Sequence, residues 1–436
     1  MKLSQRAETT EPFHALAIGQ RAAELAAQGN HVVRLSIGEP DFGAPPEVLA
    51  ALRDVADGRP LPYTPALGLP ELRAAIARSY LDRHGVDVDP ARICVTSGAS
   101  AALLLVLAAT VDPGDDVLLA DPSYPCNRQL VSTFGGRAVT LPTTPEQRYQ
   151  LSADAVRRAW TPATSVVMVA SPSNPTGTSV PPGELAALCA EVAARDAWRV
   201  VDEIYLDLSD PAPDGTPART VLAADPGAVV VSSFSKFFGM TGWRLGWAVL
   251  PPALVEPVER LAQNYFIAAS TPLQQAALAC FTPGSLAVCE ERRLEFAARR
   301  ALVLAGLERL GLPVPVVPDG AFYVYFDVSS TGLDAWDFCA RALAEHHVAL
   351  TPGRDFASEH GTAGTHVRLS YAASRADLTE GLRRIGAFLT ALPATSISAS
   401  RATSISASRA TSISASRATS ISASRARSTR ASAPQP

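Results

Sequence analysis

Five stretches of the chain repeat one pattern. ICVTSG (93–98), DDVLLADPSYP (115–125), SVVMVASPSNPTG (165–177), WRVVDEIY (198–205) and AVVVSSFSK (228–236) each begin as a short apolar, β-branched run. Each ends in small, polar or charged residues. Helix-like segments lie between them, such as ASAALLLVLAATV (99–111) and PPGELAALCAEVAARD (181–196). Strands buried on both faces read as near-continuous apolar runs, and their alternation with helices predicts a mostly parallel sheet between helices. Ligands of such sheets bind beyond the carboxyl ends of the strands. Ser97-Gly98, Tyr124, Asn174, Asp202, Tyr205, Ser233 and Lys236 all follow strand-like runs, so parallel strands would bring them to one edge.

Beyond about residue 275 the pattern changes. A long helix is predicted over 291–311, strands over 321–328 and 365–372, and a final helix over 377–392. The expected architecture is α/β: a large domain over 45–275 and a smaller α+β domain over 276–392, joined by an N-terminal segment, 1–44. Residues 394–425 are four copies of ATSISASR. So short a repeat of Ser and Ala cannot bury a core, and 393–436 is expected to be a disordered tail, most simply a duplicated segment without a role and alternatively a basic tether for an acidic partner.

Composition narrows the function. The chain has 436 residues and a formal net charge of −4, with six arginines and no acid in the last 43 residues. The body is therefore more acidic than the whole, which argues against nucleic-acid binding. The six cysteines form no CxxC pair and no metal-ligand pattern is read, so free thiols in a reducing compartment are expected. The N-terminus has no signal-peptide core and the longest apolar stretch, 101–111, is too short to span a bilayer. A cytoplasmic protein with no membrane partner is expected.

The basic residues carry the chemistry. Only Lys2 and Lys236 are lysines, against 36 arginines. A primary amine can lose its proton and attack a carbonyl, which a guanidinium cannot do. Ser233, Ser235 and Arg244 near Lys236, and the strand-to-helix turn TSGAS (96–100), suit a phosphate dianion. Asp202 at a strand end needs a cationic partner, such as a protonated ring nitrogen. Tyr205 and Asn174 could donate to a phenolic ring oxygen, Tyr124 could stack on a flat heterocycle, and Arg368 could hold a carboxylate. Each residue alone is equally open to a plainer use: a surface lysine, a cap, a turn or a salt bridge. The set matches pyridoxal phosphate and an amino acid.

At this point the sequence resembles the class I/II aminotransferases, fold-type I pyridoxal-phosphate enzymes, over residues 10–392. The motifs are SIGEPDF (36–42), YTPALGLPELRAAIA (63–77), TSGASAAL (96–103), DPSYP (121–125), SPSNPTGT (171–178), VDEIY (201–205), SFSKFFGMTGWRLGW (233–247) and VRLSYA (367–372). The resemblance implies that Lys236 forms the internal aldimine and moves the proton between Cα and C4′, and that Asp202 pairs with the ring nitrogen. Asn174 and Tyr205 would bind the ring oxygen and Tyr124 would stack on the ring. Ser233, Ser235, Arg244 and the amides of Ala99 and Ser100 would surround the phosphate. Tyr63 would reach the phosphate of a neighbouring subunit, implying a homodimer with shared sites, and Gly38 and Arg368 would hold the substrate carboxylate. An amino group would pass from an L-amino acid to a 2-keto acid by a ping-pong aldimine/ketimine scheme. Alternatives on the same fold are a β-lyase or cyclising lyase, and a non-catalytic sensor of pyridoxal phosphate and amino acids. The sensor would need a DNA-binding domain, for which there is no room before residue 10. Phe13–Ile18, Cys126–Arg128 and Asn264–Ser270 are expected to line the side-chain pocket, and no second arginine for a dicarboxylate can be assigned.

Overall fold

The computed structural model describes residues 2–10, 14–212, 215–358 and 361–393; the octapeptide repeat lies outside the described residues. A two-residue strand, β1 (Val33–Arg34), precedes the main sheet. That sheet has seven strands: β2 (Ile93–Thr96), β3 (Asp116–Asp121), β4 (Arg137–Pro142), β5 (Thr164–Ala170), β6 (Trp198–Asp202), β7 (Val229–Ser233) and β8 (Gly246–Val249). Their order is β2-β8-β7-β6-β5-β3-β4. β4, β3, β5, β6 and β7 pair in parallel. β8 runs antiparallel between β2 and β7.

The apolar runs explain the layers. β2, β3, β7 and β8 are buried along their whole length. Val117, Leu119, Val166, Met168, Val229 and Val231 face one side, where they pack with Leu103 and Val106 of helix Ala99–Thr110 and Leu254 and Val258 of helix Pro252–Tyr265. The alternate residues Leu118, Val167, Val169, Val201 and Val230 join the main core with Ile76 of helix Pro70–His84 and Leu185 of helix Pro182–Ala193. A strand that feeds two cores has no polar face, so it reads as a continuous apolar run.

Two strands were not legible. β4 is a half-exposed edge strand, RAVTLP, and β8 is only GWAV. The antiparallel insertion of β8 positions much of the site. Its first residue, Gly246, is registered with both Thr96 at the end of β2 and Ser233 at the end of β7. The chain entering β8 therefore passes along the edge where the parallel strands end.

The second sheet has the order β11-β12-β9, built from β9 (Tyr323–Asp327), β11 (Thr351–Pro352) and β12 (His366–Ser370). β1 pairs in parallel with β10 (Val348–Ala349), and Ser370 N–H donates to Leu35 O at 2.8 Å. The N-terminal segment is thus hydrogen-bonded to elements more than 300 residues downstream. The long helix begins earlier than its periodicity suggests, at Pro283, and runs to Arg309. Thr282 caps it by accepting Ser285 N–H at 3.2 Å, and proline at the first turn fixes the start.

The end of β6 is held by a buried carboxylate. Glu203 accepts Val221 N–H at 2.6 Å and the Thr220 hydroxyl at 2.7 Å. Desolvation pushes its pKa up to about 7, against the lowering effect of those two donors. A carboxyl raised in the folded state disfavours folding increasingly as pH rises from the unfolded value to the folded one. Replacing Glu203 by glutamine should therefore change relative stability with pH. Thermal melts of Glu203→Gln and wild type should draw apart in the variant's favour between pH 5 and pH 8, by up to about 2–3 kcal/mol at about 1.4 kcal/mol per pKa unit. A gap that is constant across that range would refute the assignment.

Candidate active site

The carboxyl ends of β2, β3, β5, β6 and β7 open onto one cavity of ≈ 470 Å³. Twelve of the residues singled out in the sequence line it, most of them at strand ends or in the loops that follow. Ala99 and Ser100 come from the turn after β2, Tyr124 follows β3, Asn174 follows β5, and Asp202 and Tyr205 lie at and beyond the end of β6. Ser233, Ser235 and Lys236 close β7, and Arg244 precedes β8. Gly38 follows β1 and Arg368 comes from β12.

One end of the cavity is built to receive an anion. Gly98, at φ +83°, caps helix Ala99–Thr110 without any side-chain hydrogen bond; Ala101 N–H donates to Gly98 O at 3.2 Å, which leaves the amides of Ala99 and Ser100 as donors for an anion. The φ of Gly98 favours glycine, and a Cβ there would stand 2.6 Å from an Arg244 guanidinium nitrogen, so the side chain of Arg244 packs directly against this turn. Arg244 itself holds φ +53° and donates to Thr241 O at 3.1 Å. Ser233 Oγ lies 2.8 Å from Ser235 Oγ and accepts Ser235 N–H at 3.0 Å, which fixes both hydroxyls beside the turn.

The centre holds two opposed charges in a desolvated space. Lys236 Nζ donates to Gly38 O at 2.8 Å. Burial brings its pKa down to about 8; Arg368 and Arg244 push the same way, and Glu39 and Asp202 push back. Burial raises Asp202 to about 6, resisted by the Ile204 N–H that it accepts at 3.0 Å and by Lys236. A carboxylate so placed is completed by a cation, and a protonated ring nitrogen supplies one.

At the far side Arg368 organises its neighbours. One guanidinium nitrogen donates to Asn174 Oδ1 at 2.8 Å and another to Ser36 O at 2.6 Å. The first bond uses Asn174 Oδ1 as acceptor and leaves Nδ2 as the donor this amide can offer. Arg368 Nε is buried without an acceptor among the described residues. A buried guanidinium donor left without an acceptor suits a carboxylate.

Tyr63, expected to serve a neighbouring subunit, is 79% exposed and lies outside this chain's cavity. Other expectations do not meet on it. Cys126–Arg128 and Asn264–Ser270 are not among its lining residues; of 13–18, Leu16 lines it and Phe13 lies outside the described residues. Arg128 instead donates to Asp355 O at 3.1 Å. Sequence reasoning missed Tyr323, whose hydroxyl sits 2.9 Å from that of Tyr205. It stands first in a strand of alternating aromatics, YVYFD, where the pattern signals only core.

The residues present fit pyridoxal phosphate: an amine for its aldehyde, a carboxylate for its ring nitrogen, donors for its ring oxygen and an anion cradle for its phosphate. Comparison with known proteins agrees. The profile of the family described as aminotransferase class I and II matches residues 30–385. A valine–pyruvate aminotransferase of Mycobacterium tuberculosis is 41% identical over 87% of this chain and 96% of its own length. An aspartate/prephenate aminotransferase of Thermus thermophilus is 37% identical over 89% and 98%. Among solved structures, an aminotransferase from M. tuberculosis superposes with a TM-score of 0.85 at 39% identity, over 89% of this chain and 99% of that one. The T. thermophilus aspartate aminotransferase with maleate gives 0.83 at 35% identity over the same shares. The chain belongs to the class I and II aminotransferases. It has their fold-type I architecture, takes pyridoxal phosphate as cofactor and transfers amino groups between amino acids and 2-keto acids.

Proposed function

We propose that this transaminase works through the residues gathered on the cavity and prefers an amino donor with an uncharged side chain. The observation that carries the reading is the meeting of the Lys236 amine, the Asp202 carboxylate and the Arg368 guanidinium in one desolvated space. Pyridoxal phosphate, when bound, supplies an aldehyde for the donor's amine and an electron-poor ring that stabilises charge at the donor's Cα. Lys236 Nζ would be the amine that holds that aldehyde and the base that moves a proton at the donor's Cα. Asp202 would pair with the ring nitrogen. Asn174 and the Tyr205 hydroxyl would donate to the ring oxygen, and Tyr124 would pack against the ring. Arg244, Ser233, Ser235 and the amides of Ala99 and Ser100 would hold the phosphate. Arg368 and Gly38 would orient the donor's carboxylate.

The preference for an uncharged donor rests on a census of charge. Among the described residues lining the cavity the cations are Lys236, Arg244 and Arg368, and each already has a task. Leu16, Ile37 and Leu103 supply apolar wall, and Glu39 adds a negative charge. An acidic side chain would stand there with no counter-charge. The named valine–pyruvate activity of the 41% identical relative points the same way.

The reading includes a second copy of the chain. Leu61, Tyr63, Tyr265, Phe266 and Ile267 are exposed. Their two segments adjoin, since Thr271 Oγ1 donates to Pro62 O at 2.7 Å and Gln274 Nε2 to Thr64 Oγ1 at 3.0 Å. Ile267 holds φ +66°, a strained conformation for a β-branched residue. An apolar patch held in that way suits a homodimer interface, with Tyr63 delivered to the neighbouring subunit's phosphate. We place residues 45–275 and 276–392 as two domains, with 1–44 joined to the second. All six cysteines are free, and no helix of the described residues is long and apolar enough to cross a membrane; a cytoplasmic setting suits the thiols.

Three measurements test this. Capture of pyridoxal phosphate by cofactor-free enzyme, followed by absorbance, should accelerate as pH rises through about 8 and then level off, because only the neutral Lys236 amine attacks. Lys236→Ala should show no such capture at any pH. With pyruvate as acceptor, kcat/KM for alanine or valine should exceed that for aspartate by about tenfold or more; the reverse order would sink the donor assignment. Sedimentation should give twice the 45.7 kDa chain mass, and Ile267→Asp should shift the population toward monomer.

A further inference from the structure

We propose that Tyr323 is a positioning residue: it sets the direction of the Tyr205 hydroxyl proton and ties that direction to the sheet that carries Arg368. The inference rests on the reading of Tyr205 as a donor to the cofactor's ring oxygen.

The two tyrosines come from different sheets. Tyr205 follows β6 of the seven-stranded sheet, and Tyr323 opens β9 of the three-stranded one. β9 pairs with β12, with Tyr323 opposite Ser370 and Tyr325 opposite Arg368. Both phenols are buried, at 5% and 1% exposure, with ring centroids 5.7 Å apart and nearly perpendicular. Their hydroxyls lie 2.9 Å apart, and neither has another hydrogen-bond partner among the described residues.

The proton count then constrains the pair. Two phenols bring two protons, and the bond between them uses one. The other faces the cavity that both line. If Tyr323 donates to Tyr205, the free proton is on Tyr205. A negatively charged ring oxygen beside Tyr205 favours this arrangement, because a hydroxyl that accepts a hydrogen bond is a stronger donor in turn. Tyr323 is prepared to donate. Burial raises the pKa of its hydroxyl, and the Arg368 guanidinium, whose carbon stands 4.6 Å from the centre of the ring, works against that rise. Gly38 leaves room for the arrangement, since a Cβ there would collide with the Tyr323 hydroxyl.

Arg368 thus touches both donors of the ring oxygen: Asn174 directly, by the hydrogen bond at 2.8 Å, and Tyr205 through Tyr323. A shift of the three-stranded sheet moves the carboxylate clamp and the Tyr205 donor together.

The test is the pH at which the absorbance of the bound cofactor titrates in the holoenzyme. Donors to the ring oxygen withdraw its charge and lower the proton affinity of the chromophore, so losing one raises the titration pH. Tyr205→Phe should raise it by about one unit, and Tyr323→Phe by on the order of half a unit. In the Tyr205→Phe background, Tyr323→Phe should add nothing, because Tyr323 acts through Tyr205. Replacing Tyr323 by 3-fluorotyrosine, a stronger donor of nearly the same shape, should lower the titration pH instead; a purely packing role would not move it in that direction. This variant also serves if Tyr323→Phe does not fold. No shift in Tyr205→Phe would overturn the reading on which the proposal rests. A shift there with none in Tyr323→Phe and none with fluorotyrosine, or with full additivity in the double variant, would overturn the proposal alone.

Discussion

The site depends on one directional constraint: six of the seven main strands point the same way. A parallel sheet delivers the ends of its strands to one edge, and every strand end must hand its backbone to a loop there. The loops after β2, β3, β5, β6 and β7 meet at that edge, so residues from Ala99 to Lys236, scattered in sequence, share one cavity. The seventh strand, β8, runs the other way, and for that reason its entrance rather than its exit lies at the edge. Arg244 reaches the cavity only because of this reversal.

Desolvation then gives these residues their chemical character. In water an amine and a carboxylate near neutrality are both fully charged. In the cavity Asp202 rises to about 6 and Lys236 falls to about 8, so both come within reach of physiological pH. The two arginines add positive potential, which lowers the lysine further. These are shifts of the kind that a bound cationic ring and a covalent amine partner would use.

The strands of the main sheet were legible because burial on two faces leaves long apolar runs, and the chemistry was legible because each run ends in a residue type that the run itself does not need. Lys236 stood out against a chain of arginines. What escaped notice lacked a local signal. β4 is half exposed at the sheet edge, and β8 is four residues with a glycine at its start. Tyr323 reads as one more core aromatic, because its partner Tyr205 is 118 positions away and belongs to another sheet. The segments around Cys126 and Asn264 were expected on the cavity by resemblance, but the first turns to Asp355 and the second presents its side chains at the surface.

The reversal of β8 has a further consequence. Lys236 and Arg244, the proposed aldehyde trap and phosphate anchor, sit on one short connection between β7 and β8, whose ends are pinned by the Ser233–Gly246 register. Their spacing is therefore a property of local chain length. The connection acts as a ruler for the span from the cofactor's aldehyde to its phosphate. A single inserted or deleted residue would change the measure itself, even with every side chain on the connection kept.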